Sequence, residues 1–206
     1  ATEDNLANQR YLASMCKSVL RSSPIVAEGG ALEIDENGHL LSTAQCLLNP
    51  ERNGDMSLSA YEDAFKDMLG CSKVTILQHG HLEGDDTDGH IDTLVRFTPN
   101  KGLVIQACNN RPNDSHFEGL KALCNECSLE LPEHEQFHLP LPLIKNDEGD
   151  RLPASYANYL ICNKAILLPI YGEEEDAEAI ETVQRAHPNH IVEPIDCSVL
   201  VRQYGS

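Results

Sequence analysis

The residues best suited to chemistry lie between Gly84 and Thr93, which reads GDDTDGHIDT. Asp85, Asp86, Asp88 and Asp92 crowd around a single imidazole, His90, and Gly84 and Gly89 let the backbone turn tightly or approach a ligand closely. Asp88, His90 and Asp92 alternate. If a strand begins early they share one face, and Asp86 joins that face only if extended geometry starts before Gly89. An imidazole among carboxylates serves general acid–base chemistry or holds a cation. The plain alternative is an acidic surface loop with an incidental histidine. A metal held by Asp85, Asp88, His90 and Asp92 is also open. However, the spacing fits neither the twelve-residue calcium loop nor the His-Glu-x-x-His zinc motif, which disfavours a metal without closing that reading.

Three further stretches bear on that loop. Glu28-Gly29-Gly30 precedes a strand, where paired glycines permit close backbone packing and Glu28 points into a site or a cap. Arg52, in CLLNPERN, can pair with one of the site acids or decorate a loop. Asn158 stands in a β-rich run, where it costs stability unless hydrogen-bonded to a ligand or a neighbouring loop. Cys124 and Cys127 form a C-x-x-C pair late in a predicted helix, with no second pair to complete a zinc site, and core packing is their expected role. Gly-rich phosphate loops, basic patches interleaved with aromatics, and serine nucleophile elbows are absent from the sequence.

The elements that must position these residues follow from periodicity. Glu3–Leu20 has an imperfect helical apolar face. Ala31–Asp35 alternates like a strand, DENG at Asp35–Gly38 reads as a hairpin turn, and Leu40–Thr43 returns. Asn49–Asn53 reads as loop. A helix runs to about Leu69, capped by Ser57 or by Ser59 with its Glu62 capping-box partner, and Gly70 ends it. Lys73–Leu77 is a strand. The pattern then recurs: strands at Ile91–Phe97 and Leu103–Ala107, a helix at Ser115–Asn125 with a Ser115–Glu118 capping box, and a strand near Ser128–Leu131. It recurs again with strands at Tyr156–Cys162 and Ala165–Pro169, a helix at Asp176–Ala186 and a strand at His190–Ile195. Hairpin turns near Asn37, Asn100 and Asn163 are evenly spaced. This is a degenerate repeat of a strand–strand–helix–strand unit. One such unit cannot bury its own apolar side, so neighbours must pack in a row or a ring.

Bulk composition narrows the partners. The chain has 206 residues, 41% hydrophobic and 23% charged, which fits a folded protein rather than a disordered one. Its net charge of -18 repels nucleic-acid phosphates and anionic lipid and is compatible with a cationic substrate. No apolar run approaches the roughly 18 residues of a membrane span. The eight cysteines sit mostly in apolar or helical runs, so reduced, buried thiols and a cytoplasmic location are expected. Homo-oligomerisation is left open.

These segments resemble the agmatine deiminase family, which is similar to the bacterial peptidylarginine deiminases. The likeness runs through EGGALEIDENGHLLSTAQCLLNPERN (Glu28–Asn53), GDDTDGHIDTLVRF (Gly84–Phe97), LPLP (Leu139–Pro142), LPASYANYLICNKAILLPIYG (Leu152–Gly172) and DCSVLVRQYGS (Asp196–Ser206). It implies a pentein-like α/β propeller of five pseudo-symmetric ββαβ units around a central site. About three would lie here, roughly at 24–80, 88–142 and 152–206, as one partial catalytic domain. It also implies a hydrolase that converts agmatine to N-carbamoylputrescine and ammonia, in polyamine and putrescine biosynthesis, with no cofactor. In such an enzyme a Cys thiolate attacks the guanidinium carbon, His90 acts as acid and then base, and Asp92 grips guanidinium nitrogens. Ammonia leaves, and water hydrolyses the thiouronium adduct. Planar guanidinium matches carboxylates, and a poor electrophile needs a thiolate. Asp86, Asp88 and Asn158 are expected to help bind the substrate. Glu28, Gly29, Gly30, Arg52 and Gly89 are expected to shape the site. Peptidylarginine or arginine deimination is the nearest competitor, and a non-catalytic remnant of the fold is the other. Two departures stand out. The family's early Arg-Asp-x-Gly-Pro stretch does not occur, and its nucleophilic Cys lies just past the stretch that ends here at Ser206. The chain is therefore expected to be an internal or C-terminally truncated portion that does not turn over substrate alone.

Overall fold

The computed structural model describes residues 23–204 together with Met15. The helix expected over Glu3–Leu20 lies outside the described residues, apart from Met15. Three small sheets follow one another, each made in the same way. In the first, β1 (Glu33–Ile34) pairs antiparallel with β2 (His39–Thr43), and β2 pairs parallel with β3 (Lys73–Leu77). Between β2 and β3 run two single-turn helices, α1 (Ala44–Leu47) and α2 (Pro50–Asn53), and the longer α3 (Leu58–Leu69). The second unit comprises β4 (Val95–Thr98), β5 (Gly102–Gln106), α4 (Phe117–Glu130) and β6 (Glu135–Leu139). The third comprises β7 (Leu160–Cys162), β8 (Ala165–Ile170), α5 (Asp176–Ala186) and β9 (Ile191–Asp196). The hairpins turn where the sequence places them. Asn37 lies between Asp35, whose carboxylate accepts the Asn37 and His39 amides, and Gly38 at φ 77°. Asn100 and Asn163 themselves take left-handed backbone, a conformation that asparagine tolerates better than most residues.

The central strands β2 and β5 are buried along their whole length, because each is covered by its own helix and by the next unit. One core cluster joins the first two units through Leu41, Leu77, Ile91, Leu94, Ile105 and Leu123. Another joins the second and third through Val104, Leu139, Tyr156, Ile166 and Val183. Each of these clusters is built mainly from one unit and closed by a few residues of the unit before it, while a third, of Leu40, Leu47, Tyr61, Phe65 and Cys71, lies within the first unit. A polar seam accompanies them. Arg96 donates to Glu33 in the unit before it and to the carbonyls of Ala157 and Tyr159 in the unit after it. Glu33 and Tyr159 each lie 63 residues from Arg96, so all three hold the same place in successive units.

Local polar bonds overturn several sequence expectations. Asn49 accepts the Glu51 amide, and Pro50 occupies the first helical position, so Asn49–Asn53 forms a helical turn rather than loop. Ser57, not Ser59, caps α3 by accepting the Ala60 amide. Ser115 does not cap α4. Asp114 instead accepts the His116 amide, and the helix starts at Phe117. The strand expected near Ser128–Leu131 is helix to Glu130, with Ser128 Oγ donating to the Cys124 carbonyl one turn back, and the strand comes later at Glu135. Tyr156–Tyr159 is not strand. Gln106 Oε1 accepts the Tyr156 amide and Ser155 Oγ accepts that of Ala157, so β7 begins only at Leu160.

Candidate active site

Two short 3-10 turns pack against each other where the first two units meet: Gly29–Ala31 and Ile91–Thr93. The second corrects the expected strand from Ile91, which begins only at Val95. Thr93 donates both its amide and its hydroxyl to the His90 carbonyl and winds the chain into a turn. Upstream, the Asp85 carboxylate accepts the Thr87 and Gly89 amides and draws the loop inward. His90 and Asp92 are therefore brought together by a tight turn and not by alternation along a strand.

The paired glycines explain how close the two turns come. A Cβ at Gly30 would lie 2.5 Å from His90 Nδ1 and 2.8 Å from Asp92 Oδ2, so both side chains converge on the bare face of this one residue. A Cβ at Gly29 would meet nothing within 4 Å. Gly89, at φ 78°, is buried, and its carbonyl accepts Thr43 Oγ1 at 2.7 Å, which fixes His90 next to the end of β2.

Arg52 organises the rest. Its Nε donates to both Glu28 oxygens at 2.8 and 3.0 Å, Nη1 to Asp88 at 2.7 Å, and Nη2 to the Thr87 carbonyl at 3.0 Å. Asn49 also donates to Asp88, at 2.6 Å. Arg52 thus pairs with a loop acid, as the sequence allowed, and pins the GG turn at the same time. Asp88 has left-handed backbone at φ 62° and is held by these donors, which lower its carboxyl below the usual range. It does not share a strand face with His90 and Asp92. Asp86 is exposed, while Asn158 is half-buried in the turn between the Ala157 and Tyr159 carbonyls that Arg96 grips.

The electrostatics single out Asp92. Burial pushes its carboxyl upward, and the opposing pull of Arg96 and His90 does not cancel that push. Glu33 is likewise raised by burial, despite its 2.9 Å pair with Arg96. A half-buried carboxylate whose desolvation is not offset by its partners is a receptor for a cation. His90 Nε2 is shielded from solvent with no hydrogen-bond partner, which leaves it available to a ligand or a reacting atom. Cys46 lies near His90 but is fully buried. Burial pushes its thiol up to about 11, so it is unsuited to nucleophilic attack. Cys124 and Cys127 are buried in the core facing the first two units, as expected of a packing pair. All seven described cysteines are free. The sequence reading missed Glu33, Arg96, Thr43 and Asn49. Comparing equivalent positions of successive units would have exposed the Glu33–Arg96 pair.

The chain was compared with known proteins. The family model for Porphyromonas-type peptidyl-arginine deiminase matches residues 1–206. Agmatine deiminase of Medicago truncatula is 32% identical over 200 residues, covering 86% of this chain and 53% of that protein. A chain from Porphyromonas gingivalis, described as a putative arginine deiminase, is 40% identical with a TM-score of 0.88, covering 98% of this chain and 62% of that one. A substrate-bound agmatine deiminase of C. jejuni carrying a cysteine-to-serine substitution is 30% identical with a TM-score of 0.89, covering 98% and 60%. The chain spans about half the length of the curated relatives it matches. The three ββαβ units are part of the pentein-type α/β propeller of these structures. With the fold, the GG turn and the His90–Asp92 pair in place and a family model matched along its whole length, the chain belongs to the Porphyromonas-type peptidyl-arginine deiminase family.

Proposed function

We propose that the whole protein deiminates agmatine, with water, to N-carbamoylputrescine and ammonia. The observation that carries this is the convergence of His90 and half-buried Asp92 on the bare face of Gly30. Asp92 accepts guanidinium N–H groups, and the incoming cation offsets the cost of its burial. A thiolate from outside these 206 residues attacks the guanidinium carbon. His90 gives a proton to the departing ammonia and then takes one from the water that hydrolyses the adduct and restores the thiolate. Asp88 acts indirectly, through Arg52 and the loop, while Asp86 and Asn158 remain candidate contacts for the rest of the substrate.

Agmatine is favoured over free arginine by the state of the local cations. Among the described residues, Arg52 is committed to Glu28, Asp88 and Thr87, and Arg96 to Glu33, Ala157 and Tyr159. Neither is left to hold an α-carboxylate. The net charge of -18 likewise suits a dication. The free thiols of the described cysteines favour a reducing compartment such as the cytoplasm. No helix among the described residues is long and apolar enough to cross a membrane.

The test is formation of ureido product by the whole protein from agmatine, arginine and a peptidyl-arginine. Turnover should be highest with agmatine, and Asp92→Asn should remove most of it. Unchanged kcat/KM in Asp92→Asn excludes the guanidinium role. No product from any of the three substrates supports a non-catalytic remnant of the fold.

A further inference from the structure

A second property of the site concerns three side chains of which the deimination chemistry uses only His90. The carboxylate of Glu28, the Sγ of Cys46 and a ring nitrogen of His90 all lie within 4.8 Å of one another. They come from three segments: the residue before the GG turn, helix α1 and the acidic loop. Arg52 ties all three together, donating to Glu28, to the Cys46 carbonyl at 3.4 Å and to the loop at Asp88 and Thr87. Thr43 adds a second tie, accepting the Cys46 amide and donating to the Gly89 carbonyl. The three donors are therefore held by second contacts of the sort that orient metal ligands.

The geometry points to a site for a thiophilic divalent cation of the zinc class, bound by Cys46 Sγ, His90 and Glu28, with solvent completing the shell. The donor set decides the class. Sulfur with imidazole and one carboxylate suits zinc and cobalt and is poorly matched to magnesium or calcium, which take oxygen shells. Ligand distances of about 2.0–2.3 Å put tetrahedral donors about 3.3–3.8 Å apart, so donors now within 4.8 Å of one another close by up to about 1–1.5 Å on binding. On binding, the Cys46 S–H proton passes to solvent as the metal–sulfur bond forms. Thiolate, carboxylate and neutral imidazole then balance the dication. Arg52 uses one lone-pair direction on each Glu28 oxygen and leaves others free. The site rests on this cluster and not on the deiminase reading. If that reading also holds, a bound metal withholds His90 from proton transfer.

The test uses the reduced whole protein with cobalt(II) and zinc(II) as probes. Cobalt should give a sulfur-to-metal charge-transfer band at one equivalent, and zinc should displace it. Cys46→Ser should abolish the band and weaken zinc binding, read by competition with a chelating dye, by at least about 100-fold. Cys71→Ser and Cys108→Ser should leave both unchanged. X-ray absorption of the zinc-loaded wild type should show one sulfur with nitrogen and oxygen neighbours, a readout that does not depend on a variant folding. No sulfur in that shell, or a cobalt band that survives Cys46→Ser, overturns the proposal.

Discussion

Replacing Gly30 with alanine tests how the GG turn sets the site, because Gly29 next to it provides the control. Gly30 has no positive φ, so the substitution acts through its methyl and not through backbone strain. That methyl would stand 2.5 Å from His90 Nδ1 and 2.8 Å from Asp92 Oδ2, while ordinary contact begins at 3.4 Å. The His90 ring must therefore retreat by about 0.9 Å and the Asp92 oxygen by about 0.6 Å. The Asp92 oxygen is the tip of a side chain and yields readily. Nδ1 lies within a ring, so His90 must move as a whole. Overpacking of this size costs about 1–3 kcal/mol of stability. A misplacement near 1 Å lowers turnover on the order of 100-fold, or about 2.7 kcal/mol in the barrier. Gly29→Ala, with open space around its Cβ, should change each quantity little. The assays are urea unfolding of both variants and kcat/KM for agmatine in the whole protein. A His90→Ala background should remove most of the unfolding penalty of Gly30→Ala, because it removes the group that the methyl strikes. Equal behaviour of the Gly29 and Gly30 variants would refute the argument.

Three further outcomes follow. Arg52→Ala should lower stability by about 1–2 kcal/mol, discounted because Glu28 and Asp88 are 38% and 40% exposed in their pairs with it. Arg52→Lys should recover little of this in denaturant midpoints, since one ammonium cannot serve Glu28, Asp88 and Thr87 together. His187 is buried, its Nε2 paired with the Tyr159 hydroxyl, and burial followed by the nearby His190 and Arg96 holds its pKa down to about 4. Its folded pKa is below its unfolded value of about 6.5, so the stability it contributes is present above pH 6.5 and is lost as pH falls towards 4. The loss is about 3 kcal/mol, and His187→Gln should flatten the slope in that window.

Most of the secondary structure could be read from the sequence, because a hairpin turn and an amphipathic helix are local properties. Asp176–Ala186 and Lys73–Leu77 coincide with α5 and β3 because apolar period and turn residues agree there. Expectations failed where a side chain competed for backbone hydrogen-bonding groups: Thr93 for the His90 carbonyl, Asp114 for an amide ahead of α4, and Ser155 with Gln106 for amides ahead of β7. Periodicity carries no information about such competition, since the partner can lie far along the chain.

The site divides along the same line. Residue types and spacing alone singled out Gly84–Thr93 as the chemical loop, and the family resemblance pointed to His90 and Asp92 within it. Only the tertiary structure decided which acid belongs with which partner. Asp88 goes to Arg52 and Asn49, Asp85 to the loop's own amides, and Asp92 is left half-buried against Gly30. The physical reason is that a carboxylate's role depends on its donors and its burial. Those are supplied by Arg52, Arg96 and the GG turn, whose distance along the sequence says nothing of their distance in space.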